Sequence, residues 1–312
     1  MNGRIGTEPG QRRVAISGAG GLIGRRLTEY LAEQGWQVAR FVRRPATDAL
    51  EIPWEPAAGL LDAAALAGLD GVVHLAGENV AAGRWNAARR AAILDSRVRG
   101  TELLCGALAR LAQPPRVLIA ASAVGYYGDR GDELLTEGSS GGAGFLADVC
   151  RRWEAACQRA RDAGIRVVNL RIGMVLARDG GALARLLTPF RLGLGGRLGN
   201  GRQYMSWVTR EDLVRAMVHL LCTDTVAGPV NGVAPEPVSN AEFTRTLGHV
   251  LRRPTFCRVP AVVVRLLMGQ MGRELLLAST RVVPERLTAS GFVFEQPHLE
   301  AALRAELAAE GS

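Results

Sequence analysis

Four glycines lie close together near the start of the chain, in the stretch GAGGLIG at residues 18–24. Gly18, Gly21 and Gly24 give the spacing G-x-x-G-x-x-G, and Gly20 is an additional glycine within it. Glycine adopts backbone angles closed to other residues and lets the main chain approach a ligand closely. Bare amides at the start of a helix bind phosphate oxygens. The stretch therefore predicts a pyrophosphate-binding turn, although a tight turn without a ligand would need similar residues.

Three hydroxyl side chains are candidates for acid–base chemistry in the segment SAVGYYG, residues 122–128. Ser122 ends a predicted strand, where its hydroxyl could bind a substrate carbonyl or only satisfy nearby backbone. Tyr126 and Tyr127 could donate a proton, but a phenol with no cationic neighbour stays protonated at neutral pH and is a poor base. Packing or substrate stacking is the alternative role for at least one tyrosine. We predict these three residues as the catalytic candidates.

The elements that must position these residues can be predicted from hydrophobic periodicity. RVAIS at 13–17 predicts a buried strand, and residues 22–34 predict a helix with apolar side chains at helical spacing. Further strands are predicted at WQVARFV (36–42), GVVHLAG (71–77), RVLIAAS (116–122) and IRVVNLRIG (165–173). Helices are predicted at 86–111 and 145–163, between the last three of these strands. Strands alternating with helices indicate an α/β fold, a Rossmann-type doubly wound parallel sheet.

The residues after the second strand of such a sheet distinguish two dinucleotides. An acidic residue there binds the ribose hydroxyls of NAD. Here the strand is followed by Arg43 and Arg44, and a guanidinium can bind the 2′-phosphate of NADP. Two arginines in this place are also common on a solvated surface. The sequence favours NADP (NADPH) as the cofactor.

The alternating pattern ends near residue 175, and a smaller mixed C-terminal domain is predicted to follow. Its glycine-rich segment 193–201 is a candidate lid. Asn240 is predicted as the N-cap of a helix, and Pro297 as the first residue of the last helix. The predicted domains are a flexible tail at 1–12, an NADP-binding Rossmann domain at 13–175 with 206–233 as a candidate segment that returns to it, a substrate-side domain at 176–300, and the end of the last helix with a tail at 301–312.

Composition narrows the class of protein. The chain has 312 residues and a net charge of +8, and all of its 38 basic residues are arginine. These arginines are scattered rather than interleaved with aromatic residues, so we predict no nucleic-acid partner. The five cysteines show no metal-ligand or disulfide spacing, and no signal peptide or membrane-spanning segment is apparent. We expect no metal, no membrane partner and a cytoplasmic location.

Several further motifs are shared with one protein family. They are LAGENV (75–80), SRVRGT (96–101), WEAA (153–156), GNGRQYMSWV (199–208) and GFVFEQP (291–297). Over residues 13–300 the chain resembles the extended short-chain dehydrogenase/reductase superfamily. Within it, the chain is similar to the atypical, NAD-dependent epimerase/dehydratase-like "epimerase family" proteins, which have a small C-terminal domain of unknown function. The resemblance implies a Rossmann domain that holds NADP and a C-terminal domain that closes a cleft over the nicotinamide.

The resemblance also implies cofactor-binding residues at matching positions. Arg43 would bind the 2′-phosphate, Arg97 would approach from the next helix, and Val175 would lie near the nicotinamide. Glu78 could reach the cofactor or be a surface carboxylate. The predicted cofactor-binding residues are Gly18, Gly20, Gly21, Leu22, Ile23, Gly24, Arg43, Arg44, Leu75, Ala76, Gly77, Glu78, Arg97 and Val175.

The chain departs from the superfamily at its catalytic pair, Tyr-x-x-x-Lys. Phe145 or Leu146 takes the place of the tyrosine, and Val149 or Cys150 takes that of the lysine. The chain contains no lysine, and arginine does not supply the same compact ammonium group. Two functions stay open: an NADP-dependent oxidoreductase or epimerase-like enzyme for an unknown small carbonyl or sugar-type substrate, and a non-catalytic NADP(H)-responsive binding or regulatory protein.

Other side chains have two interpretations each. His74 lies inside an apolar strand, where a core group is favoured over a base. Arg171 and Trp207 could contact substrate or stabilise the fold. A homodimer formed through the helices at 86–111 and 145–163 would fit the habit of the superfamily.

Overall fold

A computed structural model describes residues 11–308 of the chain. Residues 1–10, which hold most of the predicted N-terminal tail, and residues 309–312 lie outside this range. The strands are β1 (Arg13–Ser17), β2 (Gln37–Val42), β3 (Glu51–Glu55), β4 (Leu60–Leu61), β5 (Gly71–His74), β6 (Val117–Ala123), β7 (Leu134–Leu135), β8 (Arg166–Ile172), β9 (Met174–Leu176), β10 (Gly196–Leu198), β11 (Tyr204–Met205), β12 (Trp207–Thr209), β13 (Gly228–Gly232), β14 (Val238–Ser239), β15 (Cys257–Val259) and β16 (Arg281–Val282).

The helices alternate with these strands in the first half of the chain. They are α1 (Leu22–Glu33), α2 (Ala87–Leu108), α3 (Phe145–Ala155), α4 (Gln158–Asp162), α5 (Gly181–Arg191), α6 (Arg210–Cys222), α7 (Asn240–Leu251), α8 (Ala261–Gly272), α9 (Glu285–Ala289) and α10 (Leu299–Ala308). One π-helical turn, Arg273–Leu277, follows α8. Between residues 11 and 308, none of the helices has both the length and the apolar composition needed to cross a membrane.

The main sheet has eight strands in the order β13-β8-β6-β5-β1-β2-β3-β4. All neighbouring strands are parallel except β3 and β4, which pair antiparallel at the edge. The strand order runs outward in both directions from β1, so a crevice opens at the carboxyl ends of β1 and β5, where such sheets bind nucleotides. The predicted Rossmann-type α/β fold is confirmed.

Helices cover both faces of the main sheet. On one face, Leu27 and Leu31 of α1 pack with Leu213 and Met217 of α6 against the strands. On the other face, α2 and α4 form a second fully buried apolar layer. Burial of each such side chain contributes roughly 1.5–3 kcal/mol. The helices therefore hold the carboxyl ends of the strands in place.

A smaller mixed region follows, as predicted. Its core lies between β9, β12 and helices α5, α7 and α10, and includes Phe190, Trp207, Phe243 and Leu303. Residues 210–232 return to the first region, because α6 packs on α1 and β13 joins the main sheet beside β8.

Three predicted helix boundaries were wrong. The helix predicted at 145–163 is divided into α3 and α4, because the chain turns at Cys157 and buries its thiol in the layer beneath α2. Ser239, not Asn240, caps α7, since its hydroxyl accepts a hydrogen bond from Glu242 N. The last helix begins at Leu299, two residues after Pro297.

A candidate dinucleotide site and its buried carboxylate

Packing of the chain itself requires two of the four glycines. Gly18 has a φ of 71°, and a Cβ there would lie 3.0 Å from the backbone nitrogen of Ala76. A Cβ on Gly24 would lie 2.2 Å from the carbonyl oxygen of Gly18. A side chain at either position would displace backbone atoms. These two glycines therefore allow α1 to pack closely against the turn that precedes it.

The other two glycines are less crowded by the chain's own backbone. A Cβ on Gly20 would have no heavy atom within 4 Å, and one on Gly21 would meet only the Gly18 oxygen, at 3.2 Å. Gly21 is the N-cap of α1 and offers no side-chain acceptor to the first amides of the helix. Packing does not exclude side chains here, and their absence leaves room for a ligand. The bare amides fit the pyrophosphate of a dinucleotide.

Leu22 and Val175, both predicted beside the cofactor, lie close together. The Leu22 side chain contacts the turn at Gly180 and Gly181, where a Cβ on Gly180 would lie 2.8 Å from Leu22 Cδ1. A Cβ on Gly181 would lie 3.6 Å from the Val175 oxygen. Ile23 is half-buried and packs on the core beneath α1. The start of α1 and the strand β9 therefore border the same crevice.

A buried polar relay fixes the loop that follows β5. Ser17 Oγ accepts hydrogen bonds from the amides of Leu75 and Ala76, at 3.1 and 3.2 Å. The same oxygen lies 2.6 Å from His74 Nδ1, and His74 Nε2 lies 3.0 Å from Thr101 Oγ1. Burial lowers the pKa of His74 to about 4. His74 is therefore a neutral core group that links β1, β5 and α2, and the sequence did not indicate its partners.

The depressed pKa of His74 predicts a stability loss in mild acid. In the unfolded chain, His74 binds a proton near the ordinary histidine pKa of 6.5, whereas in the folded chain it does so only near pH 4. The free energy of unfolding therefore falls as the pH drops through this window. Between pH 7 and pH 5 we expect His74 to contribute a loss of about 2 kcal/mol in the free energy of unfolding. Urea unfolding of the wild type and of His74→Asn at both pH values measures it. An equal pH dependence in both proteins would contradict this assignment.

The two arginines predicted at the 2′-phosphate have different surroundings. Arg44 donates to both carboxylate oxygens of Glu51, at 2.8 and 2.6 Å. These bonds, together with one from the Thr47 amide, lower the pKa of Glu51 to about 2. Arg43 is exposed and forms no hydrogen bond or ion pair with any other residue of the range 11–308. Arg44 therefore holds the loop, and Arg43 is available to an anion.

Arg97 lies at the crevice without a carboxylate partner in the described part of the chain. Its Cζ lies 4.9 Å from the centre of the Trp153 ring, and a Cβ on Gly77 would approach it to 3.2 Å. Burial lowers the pKa of this guanidinium. Glu78 instead pairs with Arg89, at 3.1 Å. A cation beside the bare backbone of Gly77 fits a phosphate or ribose, whereas the Glu78 carboxylate is already engaged.

The hydroxyl of Ser122 is bonded to a carboxylate that the sequence did not reveal. Ser122 Oγ donates to Glu154 Oε1, at 2.7 Å. Arg171 binds both oxygens of Glu154, with Nε 2.8 Å from Oε1 and Nη2 2.9 Å from Oε2. The side chains of Arg171 and Glu154 are 4% and 14% exposed. Burial by itself would lower the pKa of Arg171. The hydrogen bonds to Glu154 and its negative charge have the larger effect, so the pKa of Arg171 is raised.

The structure separates the two candidate tyrosines. Tyr127 is fully buried, and its hydroxyl donates to Asn231 Oδ1, at 2.7 Å, and accepts from Arg171, at 3.0 Å. Both bonds of this hydroxyl go to other side chains, so we assign Tyr127 to positioning Arg171 rather than to proton transfer. Tyr126 is half-buried, and its ring covers Arg171, whose Cζ lies 3.5 Å from the ring centre. Tyr126 stays a prediction for substrate contact.

Other groups occupy the positions of the missing Tyr-Lys pair. Val149 and Cys150 are buried, and burial raises the pKa of Cys150 to about 11, so its thiol stays protonated. The amides of Phe145 and Leu146, at the start of α3, donate to the carboxylate of Glu274, at 3.2 and 2.9 Å. The C-terminal region therefore contacts α3 at the position where the superfamily has its tyrosine.

One cavity, of about 460 Å³, lies apart from these groups, between the loop at Gly131 and the start of α8. None of the predicted site residues lines it. Within residues 11–308, no cluster of three or more His, Cys, Asp or Glu side chains suits a metal ion.

Comparison with known proteins identifies relatives along nearly the whole chain. An epimerase family protein of Mycobacterium tuberculosis is 44% identical over 290 residues, which cover 93% of this chain and 96% of the relative. The human epimerase family protein SDR39U1 is 37% identical over 295 residues, with coverage of 94% and 98%.

Solved structures show the same arrangement. The crystal structure of human SDR39U1 (isoform 2) with NADPH matches with a TM-score of 0.86, and covers 94% of this chain and 98% of that one. A nucleoside-diphosphate sugar epimerase from Corynebacterium glutamicum matches with a TM-score of 0.80 at 36% identity, and this chain spans 58% of its length. A UDP-N-acetylglucosamine 4-epimerase from Bacillus cereus, at 15% identity and a TM-score of 0.74, shows the fold alone.

Family models divide the chain in two. Residues 14–231 match the NAD dependent epimerase/dehydratase family, and residues 259–306 match a domain of unknown function, DUF1731. The resemblance stated from the motifs is confirmed. The chain belongs to the NAD dependent epimerase/dehydratase family, and its C-terminal region is a DUF1731 domain.

Proposed function

We propose that this chain binds NADPH and is an oxidoreductase or epimerase-like enzyme for a small carbonyl or sugar-type substrate. Three observations support the cofactor: the bare amides at Gly21, the unpaired guanidinium of Arg43, and the guanidinium of Arg97, which donates to Ile93 O but has no carboxylate partner within residues 11–308. The human relative that shares 37% identity was crystallised with NADPH. The nicotinamide, when bound, would supply or accept the hydride.

The main support for the catalytic part of the proposal is the hydrogen bond from Ser122 to the buried carboxylate of Glu154. It lies at the carboxyl ends of β6 and β8, the edge of the sheet where ligands bind. When an alcohol is oxidised, Ser122 Oγ takes the proton of the substrate as its own proton passes to Glu154 Oε1. Reduction of a carbonyl reverses both transfers. Arg171 binds both oxygens of Glu154 and holds the carboxylate against Ser122, so Ser122 and Glu154 replace the missing Tyr-Lys pair.

The catalytic proposal is tested by NADPH oxidation with a panel of aldehydes, ketones and keto sugars. We expect turnover of at least one compound, and a loss of about 100-fold in kcat for Ser122→Ala and for Glu154→Gln. The Kd for NADPH, measured by calorimetry, should stay unchanged in Ser122→Ala. Ser290→Ala, at the end of α9 where the hydroxyl contacts His219, serves as the control. Full activity in Ser122→Ala would contradict the role of the hydroxyl.

Cofactor selectivity gives a separate prediction. Arg43→Ser should weaken NADPH binding about thirtyfold and leave NADH binding unchanged, because one charge-assisted contact to the 2′-phosphate, worth about 2 kcal/mol, is lost. Arg44→Ser is the matched control and should change NADPH binding much less, since Arg44 is already bound to Glu51. Calorimetric titration with both nucleotides measures this. Equal losses for NADPH and NADH would contradict the assignment.

A non-catalytic, NADP(H)-responsive binding protein is the second candidate. The contact of Glu274 with the start of α3 favours this second function, because a change in the cleft at α3 would be transmitted to the DUF1731 domain. Gln270 strengthens this contact by donating to Glu274, at 2.7 Å, and by accepting from Arg90, at 3.0 Å. Absence of turnover with the whole panel, together with NADPH-dependent hydrogen-exchange protection of residues 268–277, would favour this function over the enzyme.

A further inference from the structure

Two segments of the C-terminal half contain many arginines and no acidic residue. Residues 180–210 hold five arginines, residues 243–273 hold six, and neither segment contains Asp or Glu. The fold brings the two segments together, because β10 and β15 pair in parallel, with Arg197 opposite Arg258. The positive charge of the chain is therefore concentrated on one part of its surface.

Most of these arginines lack an internal counterion. Within residues 11–308, eight of the eleven side chains form neither an ion pair nor a hydrogen bond, and seven of these eight are exposed. The eight are Arg197, Arg202, Arg245, Arg252, Arg253, Arg258, Arg265 and Arg273. Elsewhere on the molecule some exposed arginines have a carboxylate partner, as Arg304 has in Glu300, and others, such as Arg43 and Arg110, have none within residues 11–308. A surface of one charge sign suits a partner of the opposite sign.

The same two segments hold seven of the eleven large apolar side chains that are exposed. These seven are Leu192, Leu194, Phe256, Val262, Val263, Leu266 and Leu267. The two segments that hold them adjoin each other, because a Cβ on Gly193 would lie 3.8 Å from Pro254, and one on Gly199 would lie 3.4 Å from Ala261. We name these seven side chains and the eight arginines the arginine–apolar face. Exposed apolar patches on soluble domains mark interaction sites.

Helix α8 is the centre of the arginine–apolar face. Leu266 and Leu267 are 70% and 68% exposed, and Val262 is 59% exposed one turn earlier, whereas Val264 points inward. Arg265 lies on the outer side of the helix. A helix with leucines outward and arginines around it is typical of segments that lie in the plane of a membrane interface.

We propose that the arginine–apolar face binds the surface of an anionic phospholipid membrane, with α8 lying flat among the headgroups. The arginines bind lipid phosphates, and Phe256, Leu266 and Leu267 enter the boundary of the acyl chains. A second copy fits less well, since a twofold interface would oppose two sets of unneutralised arginines. Nucleic acid fits less well because Phe256 is the one exposed aromatic of the face. The earlier expectation of no membrane partner rested on the lack of a spanning segment, which does not bear on surface attachment.

Vesicle co-sedimentation of the full chain tests the proposal without reference to any enzymatic activity. We expect binding to vesicles of phosphatidylglycerol and phosphatidylcholine in equal parts, weakening as salt rises, and no binding to pure phosphatidylcholine. Arg253→Ser/Arg258→Ser should bind about thirtyfold more weakly, the equivalent of about 1 kcal/mol for each arginine. Leu266→Ser/Leu267→Ser should bind at least tenfold more weakly, and both leucines are exposed, so the fold is unaffected.

The matched control removes equal charge from another exposed and unpaired site. Arg110 and Arg159 border a cavity of about 430 Å³ in the first region, away from the face. Arg110→Ser/Arg159→Ser should bind the anionic vesicles as the wild type does. Equal loss in this control, or no vesicle binding at low salt, would overturn the proposal. Stronger binding to polyglutamate than to vesicles would also overturn it and would indicate an acidic protein as the partner. A dimer in solution that Leu266→Ser/Leu267→Ser converts to monomers would overturn it as well and would indicate a second copy of the chain.

Discussion

Gly21→Ala should abolish most of the affinity for NADPH and leave the fold intact. Its φ of −78° is open to any residue, and an added Cβ meets only one backbone oxygen at 3.2 Å, so the free protein should lose little stability. The same methyl group enters the space above the first amides of α1. Displacing the pyrophosphate breaks about two charge-assisted hydrogen bonds, which together cost about 3 kcal/mol, or roughly 100-fold in Kd.

Gly24→Ala is the comparison within the same turn. Its Cβ would lie 2.2 Å from the Gly18 oxygen and 2.8 Å from Ala19 Cα, so the turn must move. We expect a loss of about 1–3 kcal/mol in the free energy of unfolding, in addition to weaker cofactor binding. Calorimetric titration and urea unfolding separate the two variants. Wild-type NADPH affinity in Gly21→Ala would show that the open space is not the cofactor site, and both proposed functions would fail.

Arg171→Leu should be among the most destabilising single substitutions in this chain. It leaves the largely buried carboxylate of Glu154 with the Ser122 hydroxyl as its remaining side-chain partner within residues 11–308. Removing one member of a buried ion pair costs about 3–5 kcal/mol, because the remaining charge is uncompensated. The midpoint of urea unfolding at pH 7 measures this loss.

Two further variants test whether the uncompensated charge of Glu154 causes the loss of stability in Arg171→Leu. Arg171→Leu/Glu154→Leu removes both charges and should recover part of the stability that Arg171→Leu loses. Arg304→Leu breaks an exposed ion pair with Glu300, at 2.7 Å, and should cost less than about 1 kcal/mol. A double variant less stable than Arg171→Leu would contradict the explanation and indicate that packing around Arg171 dominates.

Local sequence patterns were sufficient to predict the fold class and the glycine-rich turn at residues 18–24. The strand–glycine–helix order at residues 13–34 depends on neighbours in the chain, and hydrophobic periodicity reports such neighbours directly. The strand β3 was not predicted, because it is short, contains Pro53 and lies near the sheet edge. The turn at Cys157 was also missed, since burial beneath α2, not a local breaker residue, causes it.

The sequence by itself determined the α/β alternation, the bare amides before α1, the absence of lysine and the loss of the Tyr-Lys pair. Only the tertiary structure decided that Arg44 is engaged and Arg43 is free, that Tyr127 is buried, and that Ser122 donates to Glu154. Ser122 and Glu154 are 32 positions apart, and Arg171 lies 17 further on. Periodicity and motifs describe how a residue relates to its chain neighbours, whereas these contacts arise because the parallel sheet brings the ends of distant strands and helices together.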